Sequence, residues 1–397
     1  MTGDEQYMHR CLQLAQLAAG DVAPNPMVGA VLVHEGKIIG EGYHQQYGKA
    51  HAEVNCLASI AAEDLHLVSS STLYVSLEPC AHFGKTPPCA DLLMEKKIPR
   101  VVVGCRDPFP KVNGKGIEKL RAAGVDVSVG VLEERCRNLN KRFFTFHTQY
   151  RPYIILKWAQ TGDRKIARLP IKWQSPDTII HSDKNISNKE NRLSGEVGAM
   201  GYPLSGSGEV RLLISNAYTN RLVHKWRSEE QAIMVGTNTA LSDDPELSTR
   251  NWPGHNPVRV LVDRNLRLPS MLKLFNGKVP TVVFNLHQHS LPFEKISVAH
   301  LRELGVSYYQ ITEDASLVHQ VLNGLYRAGI QSMIVEVGAR LLQSFIDEGL
   351  WDEARVISNE ELFIGEGLPA PDLQEFQLVK KEKIVSDTIR YFQRKEH

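Results

Sequence analysis

Three side chains near the start of the sequence are of the types that hold zinc: His51 in His51-Ala52-Glu53, Cys80 in Pro79-Cys80, and Cys89. One imidazole and two thiolates make an N/S donor set suited to zinc. Three protein ligands leave a fourth position for water, the arrangement of a catalytic rather than a structural site. Glu53 stands two residues beyond the histidine, near the metal but not needed as a ligand. A carboxylate there is placed to take the proton that metal-bound water loses and to supply the one an amine leaving group gains. Singly, a histidine or cysteine is usually a packing residue, so the signal lies in the joint order. His82 offers a fourth protein ligand, which would make the zinc structural.

The elements expected to position these groups follow from periodicity. Thr2-Gly3-Asp4-Glu5 is a capping box, and Met8, Cys11, Leu12, Ala15 and Ala18 continue at helical spacing to Gly20. Segments 27–34 and 37–43 alternate around Glu35-Gly36 as a β-hairpin. A helix over 51–60 would carry His51 and Glu53 in its first turn, and a strand over 72–77 would deliver Pro79-Cys80. A helix over 89–96, a strand over 100–104, a helix over 116–123 and a strand over 125–129 complete a three-layer α/β domain, residues 1–147. Helix dipoles at Cys80 and Cys89 would favour thiolate.

A length of 397 residues predicts two or three domains, and 42% apolar with 23% charged residues is ordinary for a globular protein. Formal net charge is +1 with no basic block, which gives no electrostatic reason to expect nucleic acid as partner. The N-terminus is polar and acidic, no apolar run is long enough to span a bilayer, and six cysteines do not form a disulfide framework. No membrane association and a cytoplasmic location are expected.

An H-x-E followed by P-C and a second cysteine is the pattern of zinc-dependent nucleobase deaminases, although those use C-x-x-C. Here eight residues separate Cys80 from Cys89. The run Glu78-Pro79-Cys80-Ala81-His82-Phe83-Gly84-Lys85-Thr86-Pro87-Pro88-Cys89 closely resembles the bifunctional deaminase/reductases of riboflavin biosynthesis, as do Pro24-Asn25-Pro26-Met27-Val28-Gly29-Ala30-Val31 and Gly42-Tyr43-His44. The resemblance implies a cytidine-deaminase-like N-terminal domain in which Asn25, His44, Lys85 and Thr86 meet the substrate, a pyrimidine ribosyl phosphate. An asparagine suits an amide edge of the pyrimidine and Lys85 a phosphate. Asp107-Pro108-Phe109-Pro110 departs from the family's D-P-N-P at Phe109.

From Arg151-Pro152 onward, strand and helix signals alternate. Strands are expected over 153–158, 232–235, 258–262, 281–285 and 332–337, and helices over 218–226, 317–327 and 341–348. No G-x-G-x-x-G supports a Rossmann reading. The stretches Lys157-Trp158-Ala159-Gln160-Thr161, Leu222-Val223-His224-Lys225-Trp226-Arg227, Val235-Gly236-Thr237-Asn238-Thr239, Asp243-Asp244-Pro245-Glu246-Leu247-Ser248-Thr249-Arg250 and Val335-Glu336-Val337-Gly338 resemble the reductase half of the same family. That implies a dihydrofolate-reductase-like domain over 151–397. Ala159, Thr239, Asp243 and the loop Gly338, Ala339, Arg340, Leu341, Leu342, Gln343 and Ser344 would hold NADPH. Lys157, Arg227, Leu247, Arg250 and Glu336 would hold the ribosylaminouracil, two arginines being suited to its phosphate.

The implied chemistry is hydrolytic deamination followed by NADPH-dependent reduction of the ribosyl chain to ribityl, in a homodimer or homotetramer. Arg164 stands where the family has glycine, Leu213-Ile214-Ser215 replaces W-I-T, and a Ser/Gly/Asn-rich insertion occupies about 168–211, where Trp173 offers a substitute aromatic. Two alternatives stay open, the first motivated by these departures. One is an active deaminase whose second domain serves only for assembly. The other is a nucleic-acid or free-nucleoside deaminase, against which the wide Cys80–Cys89 spacing argues.

Overall fold

The computed structural model describes residues 3–83, 87–110, 112–168, 212–290, 301, 303, 305–336 and 338–395. Thr2 of the expected capping box, Lys85, Thr86, Trp173 and 169–211 of the expected insertion lie outside them.

The N-terminal half is built on a five-stranded sheet of order β2-β1-β3-β4-β5. β1 (Gly29–His34) and β2 (Lys37–Tyr43) form the expected hairpin, and β3 (Thr72–Leu77) joins β1 antiparallel. β4 (Arg100–Cys105) and β5 (Asp126–Val129) follow in parallel. α1 (Gly3–Gln16) and α5 (Glu133–Leu139) bury Met8, Cys11, Leu12 and Cys136 against one face. α2 (Ala52–Ala58), α3 (Cys89–Glu95) and α4 (Lys115–Ala122) bury Cys56, Leu93, Ile117 and Leu120 against the other. Strands covered on both faces read as continuous apolar runs, which is why Leu73–Leu77 and Val101–Val103 were recognisable. Each fully buried leucine or isoleucine contributes about 1.5–3 kcal/mol.

The C-terminal half is built on a nine-stranded sheet of order β11-β10-β9-β8-β12-β6-β13-β16-β15. β6 (Tyr153–Thr161), β8 (Ala232–Gly236), β9 (Val258–Val262), β10 (Thr281–Asn285), β11 (Val306–Gln310), β12 (Ser332–Glu336) and β13 (Glu353–Asn359) are parallel. β15 (Phe376–Ile384) and β16 (Asp387–Arg394) close the sheet as an antiparallel hairpin, while β7 (Lys165–Ala167) pairs with β14 (Leu368–Pro369) outside it. α7 (Ala217–Glu229) and α8 (Thr237–Asp243) cover one face with Val223, Trp226 and Ala240. α9 (Leu317–Arg327) and α10 (Ala339–Asp347) cover the other with Val318, Leu322, Leu342 and Phe345.

Six strands, β7, β11, β13, β14, β15 and β16, are absent from the sequence reading, and for two of them the reason is visible. β15 is exposed over nearly its whole length and carries Lys380-Lys381-Glu382-Lys383, so no apolar alternation marks it. β13 is buried, but Glu353 and Arg355 interrupt its apolar pattern; they are tolerated because they pair with each other at 2.7 Å. His51 also differs from expectation. It caps α2 in an extended conformation (φ −73°, ψ 168°) rather than lying in its first turn.

α6 (Lys141–Thr148) ends the first half and packs on the second. Lys141 Nζ meets Glu353 at 2.6 Å, Arg142 holds Glu230 with two nitrogens, and the rings of Phe146 and Tyr326 lie 4.7 Å apart. Arg151 grips Asp352 with both guanidinium arms at 2.6 and 2.7 Å. The Glu230 side chain is 0% exposed, so removing one partner leaves an uncompensated buried charge. Glu230→Ala is expected to cost about 3–5 kcal/mol, read as a lower melting temperature and urea midpoint of the whole chain. A loss below about 1 kcal/mol would mean that the pair behaves as a solvated surface contact.

Candidate active sites

β3, α2 and α3 bring His51, Cys80 and Cys89 together as the sequence predicts, with their ligand atoms all within 4.8 Å of one another. His51 Nδ1 faces both sulfurs, 3.6 Å from Cys80 Sγ and 3.3 Å from Cys89 Sγ. Cys89 opens α3, and its amide donates to Cys80 Sγ at 3.3 Å. Cys80 lies on the connection after β3 and not at a helix end, so this amide, rather than a dipole of its own, favours its thiolate. Its pKa is pulled down to about 4, first by the hydrogen bond from the Cys89 thiol and also by His51. The Cys89 thiol is pushed up by the same bond and by burial. His51 is raised, chiefly by its hydrogen bond to Cys80 and also by Glu53. One imidazole and two sulfurs, half-buried to buried, fit a tetrahedral zinc with one open position.

Glu53 sits in the first turn of α2, 3% exposed. Burial pushes its carboxyl up to about 7, with the Cys80 charge adding to the shift. A carboxyl titrating near neutrality is suited to both taking and giving a proton. His44 stands beside the ligands, its ring 5.4 Å from that of His51 and nearly perpendicular. Its Nδ1–H donates to Ala50 O at 2.9 Å, so Nε2 accepts from Asn25 Nδ2 at 3.1 Å. Burial lowers the His44 pKa, which keeps the imidazole neutral and Asn25 in a fixed orientation. Asn25 and His44 are therefore together at the site, while Lys85 and Thr86 lie outside the described residues.

Glu78 is a residue that sequence reasoning left without a role. It is 4% exposed and accepts four backbone amides, those of Gly114 and Gly116 at 2.9 Å, Asp107 at 3.3 Å and Ile117 at 3.4 Å. It therefore fixes the 107–117 connection against the segment that carries Cys80. The available signal was a carboxylate at the end of an apolar strand, directly before Pro79-Cys80.

Midway along β6 and at the C-terminal end of β12 a second constellation forms. Arg227, on α7, donates to Glu336 with Nε and Nη2, both at 2.8 Å, and to Ser248 O at 3.2 Å. Lys157 Nζ lies 3.5 Å from the same carboxylate. Glu336 is buried yet its pKa falls to about 2, because Arg227 and Lys157 outweigh desolvation. The fork of Arg227 is thus directed at Glu336, whereas the sequence reading had it share an anion with Arg250. Arg250 is exposed, 4.0 Å from Glu246. Leu247 is buried beside them, and His224, 2% exposed, is lowered to about 4 by burial and by Arg227 and Arg250.

Ala159 is on β6, and Thr239 and Asp243 are on α8. Gly338 precedes α10 at φ +99°, and a Cβ there would lie 3.3 Å from Thr239 Oγ1 in a backbone conformation that side chains rarely adopt. This close-approach glycine before a helix, whose first amides have no partner within the helix, is a cradle that fits a dinucleotide phosphate. Ala339, Arg340 and Leu341 lie in that first turn. Leu342 points into the core, Gln343 is tied to Asp347 and Asp372, and Ser344 Oγ donates to Arg340 O.

The family described as cytidine and deoxycytidylate deaminase zinc-binding region matches residues 1–105, and the RibD C-terminal domain matches residues 152–389. The riboflavin biosynthesis protein RibD of Aquifex aeolicus is 39% identical over 98% of both chains. The chain belongs to the RibD family. A crystal structure of a diaminohydroxyphosphoribosylaminopyrimidine deaminase/5-amino-6-(5-phosphoribosylamino)uracil reductase of Thermotoga maritima is 31% identical, covers 99% of both chains and superposes with a TM-score of 0.76. RibD of Acinetobacter baumannii is 28% identical over 99% of both chains, with a TM-score of 0.77.

The departures from the RibD pattern now have structural settings. Phe109 packs its ring 5.0 Å from that of His147 and 6.2 Å from that of His82, placing apolar surface beside both imidazoles. Arg164 adopts φ +58°, the left-handed conformation that glycine takes without strain. The arginine costs about 1–2 kcal/mol there, and its side chain lies 3.5 Å from Asp372. Leu213 is half exposed in place of a tryptophan.

Two outcomes test these sites. Glu53→Gln removes the titrating group without removing a ligand. Zinc content by mass spectrometry is expected to stay at one per chain, with deamination falling by about 10²–10⁴-fold; full activity would remove Glu53 from proton transfer. The Glu336 carboxylate, held at about 2 against an ordinary 4.5, stabilises the fold above the unfolded-state value and loses that contribution as pH falls through the folded value. Acid unfolding followed by circular dichroism should therefore steepen between pH 4.5 and 2 in the native chain. Glu336→Gln should be less stable at neutral pH and flatter across that window.

Proposed function

We propose that the chain is a bifunctional enzyme of riboflavin biosynthesis. Its first domain, about 1–147, hydrolytically deaminates a diaminopyrimidinone ribosyl phosphate. Its second, about 151–397, reduces the ribosyl chain to ribityl with NADPH. The observation that carries the reading is the joint presence, in one chain, of the His51–Cys80–Cys89 cluster with buried Glu53 and of the Lys157–Arg227–Glu336 constellation beside the Gly338 cradle.

His51, Cys80 and Cys89 hold the zinc, which, when bound, lowers the pKa of a coordinated water. Glu53 would pass one proton from the attacking water to the ring nitrogen, then take the proton of the added hydroxyl and pass it to the departing amine, which leaves as ammonia. Asn25, fixed by His44, presents its amide oxygen to the pyrimidine edge, and Lys85 with Thr86 receives the polar ribosyl phosphate end. In the second domain Ala159, Thr239, Asp243 and the Gly338–Ser344 segment hold NADPH, which supplies hydride to C1 of the ribose. Lys157, Arg227 and Glu336 form a fixed floor under the sugar, Leu247 packs against it, and exposed Arg250 takes the phosphate. Lys157, 3.5 Å from Glu336, is the cation able to deliver a proton to the opened ring oxygen.

The protein works in the cytoplasm, where the thiolates of Cys80 and Cys89 stay reduced, and it assembles as a homo-oligomer. Edge strand β15 supports assembly, since among the described residues it exposes Phe376, Leu378 and Val379 at the end of the sheet.

Mass spectrometry of the product from the diaminopyrimidinone ribosyl phosphate tests both halves. Loss of one amino group without NADPH, and deamination plus addition of two hydrogens with it, is the expected result. Deamination in both tubes with reduction in neither would assign the second domain to assembly alone, the reading that Arg164 and Leu213 favour. No reaction in a zinc-loaded sample would overturn the substrate.

A further inference from the structure

The connection between α1 and β1, which carries Asn25, is held on one side by its own domain and on the other by the reductase domain. Gly20 at φ +93° lies so close to α7 that a Cβ on it would come 2.6 Å from Ser228 O. Asp21 Oδ1 lies 3.5 Å from His255 Nε2. Most directly, Gln331 Nε2 donates to Pro24 O at 2.8 Å. Pro24 O belongs to the peptide group that joins Pro24 to Asn25, so this bond orients the backbone from which the Asn25 side chain projects.

Gln331 is itself fixed. It is 5% exposed, its backbone amide donates to Gln231 Oε1 at 2.6 Å, and its carbonyl accepts from Tyr153 N at 2.8 Å. With its amide held by the Gln231 side chain and its carbonyl by β6, its side chain has a rigid base. A continuous polar relay results. Gln331 donates to Pro24 O, Asn25 Nδ2 donates to His44 Nε2, and His44 Nδ1–H donates to Ala50 O, immediately before the zinc ligand His51.

We infer that Gln331, a residue of the reductase domain, is a positioning residue for the deaminase: its side-chain amide sets the orientation in which Asn25 meets the pyrimidine. The inference rests on the reading of Asn25 as a substrate contact. It acts through Asn25 and not through zinc or Glu53, so it predicts an effect on substrate binding and not on the chemical step. Losing one such hydrogen bond is expected to raise the deaminase KM about 3–10-fold.

The test uses full-length protein in two variants. Gln331→Met keeps the length of the side chain without its donor, and Gln331→Glu presents a carboxylate to Pro24 O. Both are expected to raise the deaminase KM while kcat stays within about twofold and zinc remains at one per chain. KM for NADPH-dependent reduction of already deaminated substrate should not move. Combined with Asn25→Ala, Gln331→Met should add little, because both act on one contact. An unchanged deaminase KM in both variants, with Asn25→Ala raising it, would overturn the inference alone. So would a multiplicative double variant, or an equal rise in the reductase KM, which would mark a general structural role. If Asn25→Ala leaves KM unchanged, the assignment of Asn25 falls and the inference falls with it.

Discussion

Two thiolates and a carboxylate cannot share one buried pocket unless a cation joins them. That constraint governs the first half of the molecule. Glu53 is 3% exposed and its carboxyl rises to about 7, from burial and from the Cys80 charge beside it. With protein groups alone, Cys80 and Cys89 divide a single proton between them, one sulfur donating to the other. A divalent cation in the same space favours both thiolates at once and lowers the carboxyl it faces. The fold supplies the geometry for this by converging three elements on one point: the cap of α2, the end of β3 and the first residue of α3. Glu78, with four amide donors, keeps the 107–117 connection closed over them.

The second half solves the same problem within the chain. Glu336 is as buried as Glu53, yet it falls to about 2 because Arg227 grips it and Lys157 stands 3.5 Å away. Among protein groups alone one carboxylate is left undercompensated, raised to about 7, and holds a proton it can give up. The other is fully compensated and becomes a fixed charge that orients its partners. The contrast separates a general acid/base from a scaffold without reference to sequence position.

The His51–Cys80–Cys89 cluster and buried Glu53 were legible in the sequence because their pattern is local: each lies at or within a few residues of a helix start or strand end. The sheet cores were legible for the same reason, since β3, β4, β9 and β10 are mostly apolar, each with at most one buried polar residue, Ser76 or Arg259, inside the run. What escaped depends on partners far along the chain. β13 hides behind Glu353 and Arg355, which pair within the strand, and the further partner of Glu353, Lys141, arrives only when the two halves meet. Glu78 looks like a surface charge until amides from residues 107–117 fold onto it. Gln331 offers no pattern at all, because its partner is 307 residues away. Arg227 was read as an anion ligand, and only the structure shows Glu336 occupying its fork.

β12 gives the union of the two halves a physical reason beyond tethering. It lies inside the nine-stranded sheet between β8 and β6, where neighbouring strands hold it on both edges. Gln331 precedes its first residue and reaches the Asn25 loop, while Glu336 ends it beside Arg227 and Lys157. At ~3.3 Å per residue these two anchor points stand about 17 Å apart on one stiff strand. The deaminase loop is therefore referenced to the same rigid element that carries the reductase carboxylate. Around that contact, the buried Arg142–Glu230 and Lys141–Glu353 pairs fix α6 to the sheet. Ion pairs so buried do little for net stability compared with apolar packing, but they permit few alternative docking geometries. A deaminase domain separated from this surface would keep its zinc ligands, all of which lie on its own elements, and would lose the support beneath Asn25.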